Sequence, residues 1–183
     1  TGSFLILGAA LGKAMTITQC VPEHVSVLTA ALAEAGVSLQ IGSRSISVSR
    51  PRTLQPVDIK TREYPGFATD LQAPFVVLMT QATGQSMIFE TVFDGRLNYI
   101  EDLNRMGASI VMCDPHRILV HGPTPLRGRE IEGPDLRAGL AFVIAALIAR
   151  GTSAIRNVYQ FDRGFERIDE RLRHLGAAIE RQR

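Results

Sequence analysis

Six glycines of this chain fall into three pairs: Gly12 and Gly36 lie 24 residues apart, Gly84 and Gly107 lie 23 apart, and Gly151 and Gly176 lie 25 apart. The words that end each interval are alike: Leu32-Ala33-Glu34-Ala35-Gly36, Leu103-Asn104-Arg105-Met106-Gly107-Ala108 and Leu172-Arg173-His174-Leu175-Gly176-Ala177. The order of apolar runs between the glycines also recurs, with a period of about 65–72 residues. A repeated unit that cannot bury its apolar face alone must stack on its own copies. This repeat constrains the fold more than any other property of the chain.

Each unit reads as strand, helix, strand, helix, strand, strand. In the first, Phe4 to Leu11 is apolar up to Gly12, and Ala14 to Thr18 is a short strand. Pro22 then opens a helix with Val25, Leu28, Leu32 and Ala35 on one face, and Gly36 ends it. Val37 to Ile41 and Ser45 to Ser49 are strands around a Gly42-Ser43 turn. The second unit has a helix from Asp70 to Thr83, a strand from Ser86 to Thr91 and a helix from Leu97 to Met106. Ser109 to Met112 and Ile118 to His121 pair as its hairpin. The third has a helix from Asp135 to Arg150, a strand from Ser153 to Val158, a helix carrying Phe165, Ile168, Leu172 and Leu175, and a last strand starting at Ala178-Ile179. Leu54 to Thr61 and Leu126 to Glu132 are the opening strands of units two and three. Parallel neighbours need a helical crossover, whereas the closing pair can be a hairpin. The expected boundaries are 1–50, 51–122 and 123–183 in a single domain, with the first and last units incomplete. On this reading the chain is cut from a larger protein. The first helix of each unit is apolar nearly all round, as in Phe75-Val76-Val77-Leu78-Met79, so these helices belong inside, with sheets packed around them.

Composition narrows the function. The 20 basic and 18 acidic residues leave a net charge of +2, too balanced to argue for nucleic acid. The longest apolar run, Leu136 to Ala149, contains Arg137 and falls short of the ~20 residues that span a bilayer. No leader segment is evident, and the two cysteines, Cys20 and Cys113, form neither a disulfide framework nor metal spacing. A cytoplasmic protein without a metal or other cofactor is the expectation.

Chemistry concentrates at helix starts. Asp70 and Asp135 each precede an apolar helix. A carboxylate there caps the first N–H groups; it also sits where a ligand meets the domain edge and can accept a proton from a substrate hydroxyl. Spacing leaves both readings open. Val92-Phe93-Asp94-Gly95-Arg96 and Tyr159-Gln160-Phe161-Asp162-Arg163-Gly164 follow the second strand of their units. Each sets an arginine beside a glycine at a helix start, a setting suited to anions. Arg137, in the first turn of an apolar helix, opposes the helix dipole and needs an anionic partner. The four histidines have no ligand spacing.

The stretches Tyr64-Pro65-Gly66-Phe67-Ala68-Thr69-Asp70-Leu71-Gln72, Glu90 to Arg96, Asp135 to Ala138 and Asp162 to Ile168 make the chain resemble, over essentially its whole length, the UDP-N-acetylglucosamine enolpyruvyl transferases. The shikimate-pathway enolpyruvyl transferases share the fold but not this set of words. The resemblance implies an inside-out α/β prism of three βαβαββ units, paired with a second domain absent from this chain. It implies transfer of enolpyruvate from phosphoenolpyruvate to the 3-hydroxyl of UDP-N-acetylglucosamine, with no metal. It carries Asp70 over as the base on the sugar hydroxyl and Val92 as a backbone contact to the nucleotide-sugar. Arg96, Arg137 and Arg163 carry over as arginines around the anionic substrates. The family's Lys-Asn pair, further arginines and cysteine proton donor match nothing here; Cys20 and Cys113 stand in other contexts. The chain is therefore expected to hold about half of a site and to be inactive alone. The alternative is a stand-alone, non-catalytic nucleotide-sugar-binding module.

Overall fold

The computed structural model describes residues 1–12, 14–132 and 136–182, without the side chains at 136, 137, 160 and 161. Its centre is helical. Helices α1 (Gly2–Leu11), α3 (Gln72–Met79) and α5 (Leu136–Ile148), one from each repeat, pack on one another. All eight residues of α3 are buried, and Phe75, Phe142 and the run Leu5-Ile6-Leu7 are fully enclosed. Burying each such large side chain contributes about 1.5–3 kcal/mol. Gly8 lets α1 lie against its sheet: a Cβ there would stand 2.6 Å from a Val48 methyl.

The sheets wrap this helical centre. The second unit's sheet has the order β4-β5-β7-β6, from β4 (Ile59–Lys60), β5 (Gly84–Phe89), β6 (Ser109–Asp114) and β7 (Arg117–Gly122). β4 and β5 are parallel, and β7 is antiparallel to both β5 and β6. The first unit repeats the last three of these as β1-β3-β2, from β1 (Met15–Thr18), β2 (Ser38–Ile41) and β3 (Ser45–Ser49). The third repeats the first two as the parallel pair β8 (Glu130–Ile131) and β9 (Ala154–Ile155). Helices α2 (Ser26–Glu34), α4 (Ile100–Arg105) and α7 (Ile168–His174) complete the crossovers, and Gly36, Gly107 and Gly176 follow them with φ of 85°, 104° and 88°. The three-fold repeat and the helices-inside arrangement read from the sequence are those of the structure.

Several boundaries differ. The helix expected from Asp70 to Thr83 is a 3₁₀ turn, Thr69–Leu71, followed by α3, and it stops at Met79. Strand pairing takes the rest: Ala82 bridges Leu54, and the Thr83 amide donates to the Leu54 carbonyl at 2.8 Å. The opening strands are short, and isolated bridges such as Arg127 to Arg150 extend the pairing. A four-residue helix, α6 (Tyr159–Asp162), was not apparent in the sequence. Ala178 and Ile179 form no strand, because no partner strand lies beside them among the described residues.

Candidate functional site

At the C-terminal end of β5 the chain turns through Glu90 to Arg96, close to the turn that carries Asp70. Asp70 does not cap a helix. It lies within the 3₁₀ turn, and neither that turn nor α3 has a side-chain cap bond. Its carboxylate instead accepts a 3.0 Å hydrogen bond from Arg96 Nη2. The pair is lopsided: the Arg96 side chain is 8% exposed and that of Asp70 71%. A buried cation thus presents an exposed carboxylate to solvent. The Arg96 guanidinium stacks over the Phe93 ring at 4.9 Å. Its Nε and the Gln72 Nε2 are buried without a hydrogen-bond partner among the described residues. Tyr99 lies behind them and donates to Gln72 Oε1 at 3.0 Å. Burial pushes the Tyr99 phenol well above its ordinary pKa, and the Glu90 charge adds to this; the Gln72 hydrogen bond and the Arg96 charge oppose it.

Glu90 is the hub of the site. Only 1% of it is exposed, yet its carboxylate accepts four hydrogen bonds. Oε1 takes Thr61 Oγ1 at 2.9 Å, the Val92 amide at 2.8 Å and the Phe93 amide at 3.2 Å. Oε2 takes Thr69 Oγ1 at 2.8 Å. Thr61 also accepts from the Thr91 amide at 2.8 Å, and its carbonyl accepts from the Thr91 hydroxyl. The sequence reading passed over Glu90, Thr61 and Thr69. The available signal was an acid directly continuing the apolar run Met87-Ile88-Phe89, where a buried charge requires donors from elsewhere.

The structure brings Asp70, Arg96 and the Val92 loop together. Arg163 lies in the corresponding loop of the third unit, exposed and in no ion pair among the described residues. Arg137 is in the first turn of α5, its side chain outside the described ones, and Asp135 lies outside the described residues. Among the described residues no cluster of three or more His, Cys, Asp or Glu could hold a metal, and no helix is long and apolar enough to cross a membrane.

Comparison with known proteins adds three observations. Residues 1–172 match the profile of the family described as EPSP synthase (3-phosphoshikimate 1-carboxyvinyltransferase). The chain is 43% identical over 182 residues to the UDP-N-acetylglucosamine 1-carboxyvinyltransferase of Chlorobium phaeovibrioides, and 44% identical over 181 residues to that of Solibacter usitatus. These alignments cover 100% and 98% of the chain but 43% of each relative, so the chain spans under half the length of the curated relatives it matches. Among solved structures, the enolpyruvyl transferase NikO from Streptomyces tendae superposes with a TM-score of 0.88 at 26% identity, covering 98% of this chain and 42% of that one. An EPSP synthase from Acinetobacter baumannii has the same fold, with a TM-score of 0.76 at 22% identity over 98% of this chain and 46% of its own.

Proposed function

The chain belongs to the EPSP synthase family, and on that premise we propose that it forms one domain of a UDP-N-acetylglucosamine enolpyruvyl transferase. The reaction is transfer of enolpyruvate from phosphoenolpyruvate to the sugar 3-hydroxyl with release of phosphate. It is the first committed step of peptidoglycan precursor synthesis, a cytoplasmic step that cell-wall growth, shape and division draw on. The identity of 43–44% to relatives bearing that activity's name supports this choice over the shikimate-type substrate.

One observation carries the mechanism: an exposed carboxylate, Asp70, oriented by a buried guanidinium, Arg96. Asp70 takes the proton of the sugar hydroxyl as its oxygen bonds to C2 of phosphoenolpyruvate. C3 gains a proton at the same time, giving a tetrahedral intermediate. Phosphate then leaves C2, C3 loses a proton, and the enol ether remains. The groups that protonate and deprotonate C3 belong to the rest of the enzyme. Arg96, Arg137 and Arg163 stabilise the phosphate and carboxylate charges, the type of electrostatic contribution that is often the largest in catalysis. The Val92 backbone contacts the nucleotide-sugar.

The test is Asp70→Asn in the full-length enzyme. Transfer should fall about a thousandfold, within the range expected for losing a general base, with UDP-N-acetylglucosamine affinity largely kept by calorimetry. Near-normal turnover would remove Asp70 from the mechanism. Tight nucleotide-sugar binding by this chain alone, unaffected by the missing half, would favour the stand-alone binding module.

A further inference from the structure

The three units can be superposed by strand register, and the register isolates one position. Ile17 pairs with Ile46 in the first unit as Ile88 pairs with Ile118 in the second, and Ile155 pairs with Ile131 in the third as Ile88 pairs with Ile59 in the second. Two residues beyond these isoleucines stand Gln19, Glu90 and Asn157. Gln19 and Asn157 leave their strands in the left-handed conformation, with φ of 56° and 55°. Glu90 is not among the positive-φ residues; its unit exits the strand differently. There a buried carboxylate takes over the organisation of the chain, and it does so in the unit that carries the Asp70–Arg96 pair.

We infer that Glu90 is the positioning residue of the site: one carboxylate sets the Asp70 turn, through Thr69, against the Val92–Arg96 loop, through the Val92 and Phe93 amides. This rests on the roles proposed above for Asp70 and Val92. All four partners donate, which matches an acceptor-only carboxylate. The two oxygens differ in what they demand. Oε1 faces two backbone amides, which can only donate, and the Thr61 hydroxyl. Among the described residues Oε2 faces only the Thr69 hydroxyl, which can turn and accept. A glutamine can therefore place its carbonyl at Oε1 and its NH₂ toward Thr69, keeping the loop and reversing one bond. Alanine loses both arms. Thr69→Val loses the Asp70 arm and leaves the loop arm in place. A misplacement of the reacting group by about 1 Å can cost up to about a hundredfold in rate, so a single arm is expected to be worth about tenfold.

The experiment measures amide hydrogen exchange at 92–93 together with steady-state kinetics, in the longest natural polypeptide that carries this chain. Glu90→Ala should accelerate exchange at Val92 and Phe93 at least about tenfold and raise KM for UDP-N-acetylglucosamine about tenfold. Glu90→Gln should rescue both to within about threefold of the parent. Thr69→Val should lower kcat about tenfold while KM and exchange at 92–93 stay within about twofold. Unchanged exchange in Glu90→Ala, or an unchanged kcat in Thr69→Val, overturns the inference. If Glu90→Ala does not fold, the Gln and Val variants still decide it, since loss of exchange protection in Glu90→Gln also overturns the assignment. If the parent shows no enolpyruvyl transfer, the proposed function fails, and the exchange data alone still decide whether Glu90 anchors the loop.

Discussion

The loops after β5 and β9 occupy matching places in sister units, and the residues at which they leave their strands are held by different means. The Val92–Arg96 loop is anchored from below, by a buried carboxylate that receives neutral donors and forms no ion pair among the described residues. The loop around Arg163 is clamped from outside. Arg181 donates two hydrogen bonds of 2.8 Å to Asp162 and lies 3.2 Å from Asp169. The difference teaches how a duplicated scaffold separates precision from tolerance. A buried, fully donated carboxylate fixes geometry independently of salt. A solvent-facing ion pair fixes it only as far as its charges are unscreened.

The largest test of this contrast lies at the strand exits. Glu90→Gly should destabilise the protein by about 2–4 kcal/mol in urea unfolding, because it strands buried donors and removes a side chain. Gln19→Gly and Asn157→Gly should change stability by no more than about 1 kcal/mol, since glycine relieves the left-handed conformation and its backbone freedom offsets the gain. Equal losses at all three positions would break the contrast. The next effect is of salt. Raising NaCl to about 1 M, where the screening length is ~3 Å, should accelerate exchange of the amides at 163–164 and leave those at 92–93 unchanged.

The smallest effect is of pH. The hydrogen bond and charge of Arg181 hold the Asp162 carboxyl below its ordinary pKa, and the same contacts push the Arg181 guanidinium up. A depressed carboxyl pKa means the folded state favours the charged form, so the clamp's contribution is fully present above the unfolded value of about 3.9. It is lost as pH falls below 3.9 through the lowered folded value. Exchange protection at 163–164 should follow that profile, and Arg181→Gln should flatten it. A profile unaltered by Arg181→Gln would assign the titration to another group.

Much of the architecture was legible because its signals are local. Glycines after helices and three all-apolar helices name the repeat and put the helices inside. Asp70 stood out in the sequence as a candidate site residue, but its bonding did not. A carboxylate before a helix reads as a cap, yet Arg96, 26 residues further on, takes it, because the helix begins beyond the 3₁₀ turn. Glu90 was illegible for the same reason on a larger scale. Its meaning depends on hydroxyls from Thr61 and Thr69, which only tertiary packing delivers. Ala178-Ile179 shows the reverse limit: strand propensity is not realised where, among the described residues, no neighbouring strand offers a ladder.

The fully buried helix α3 has a consequence for how such a protein can change. With its middle filled by side chains, the helical centre leaves no room for a ligand among the described residues, so chemical novelty falls to the rim where strands end. Substitutions thus divide cleanly into two inheritances. Those in the helical centre bear on whether the chain folds, while those at the strand exits bear on the candidate site.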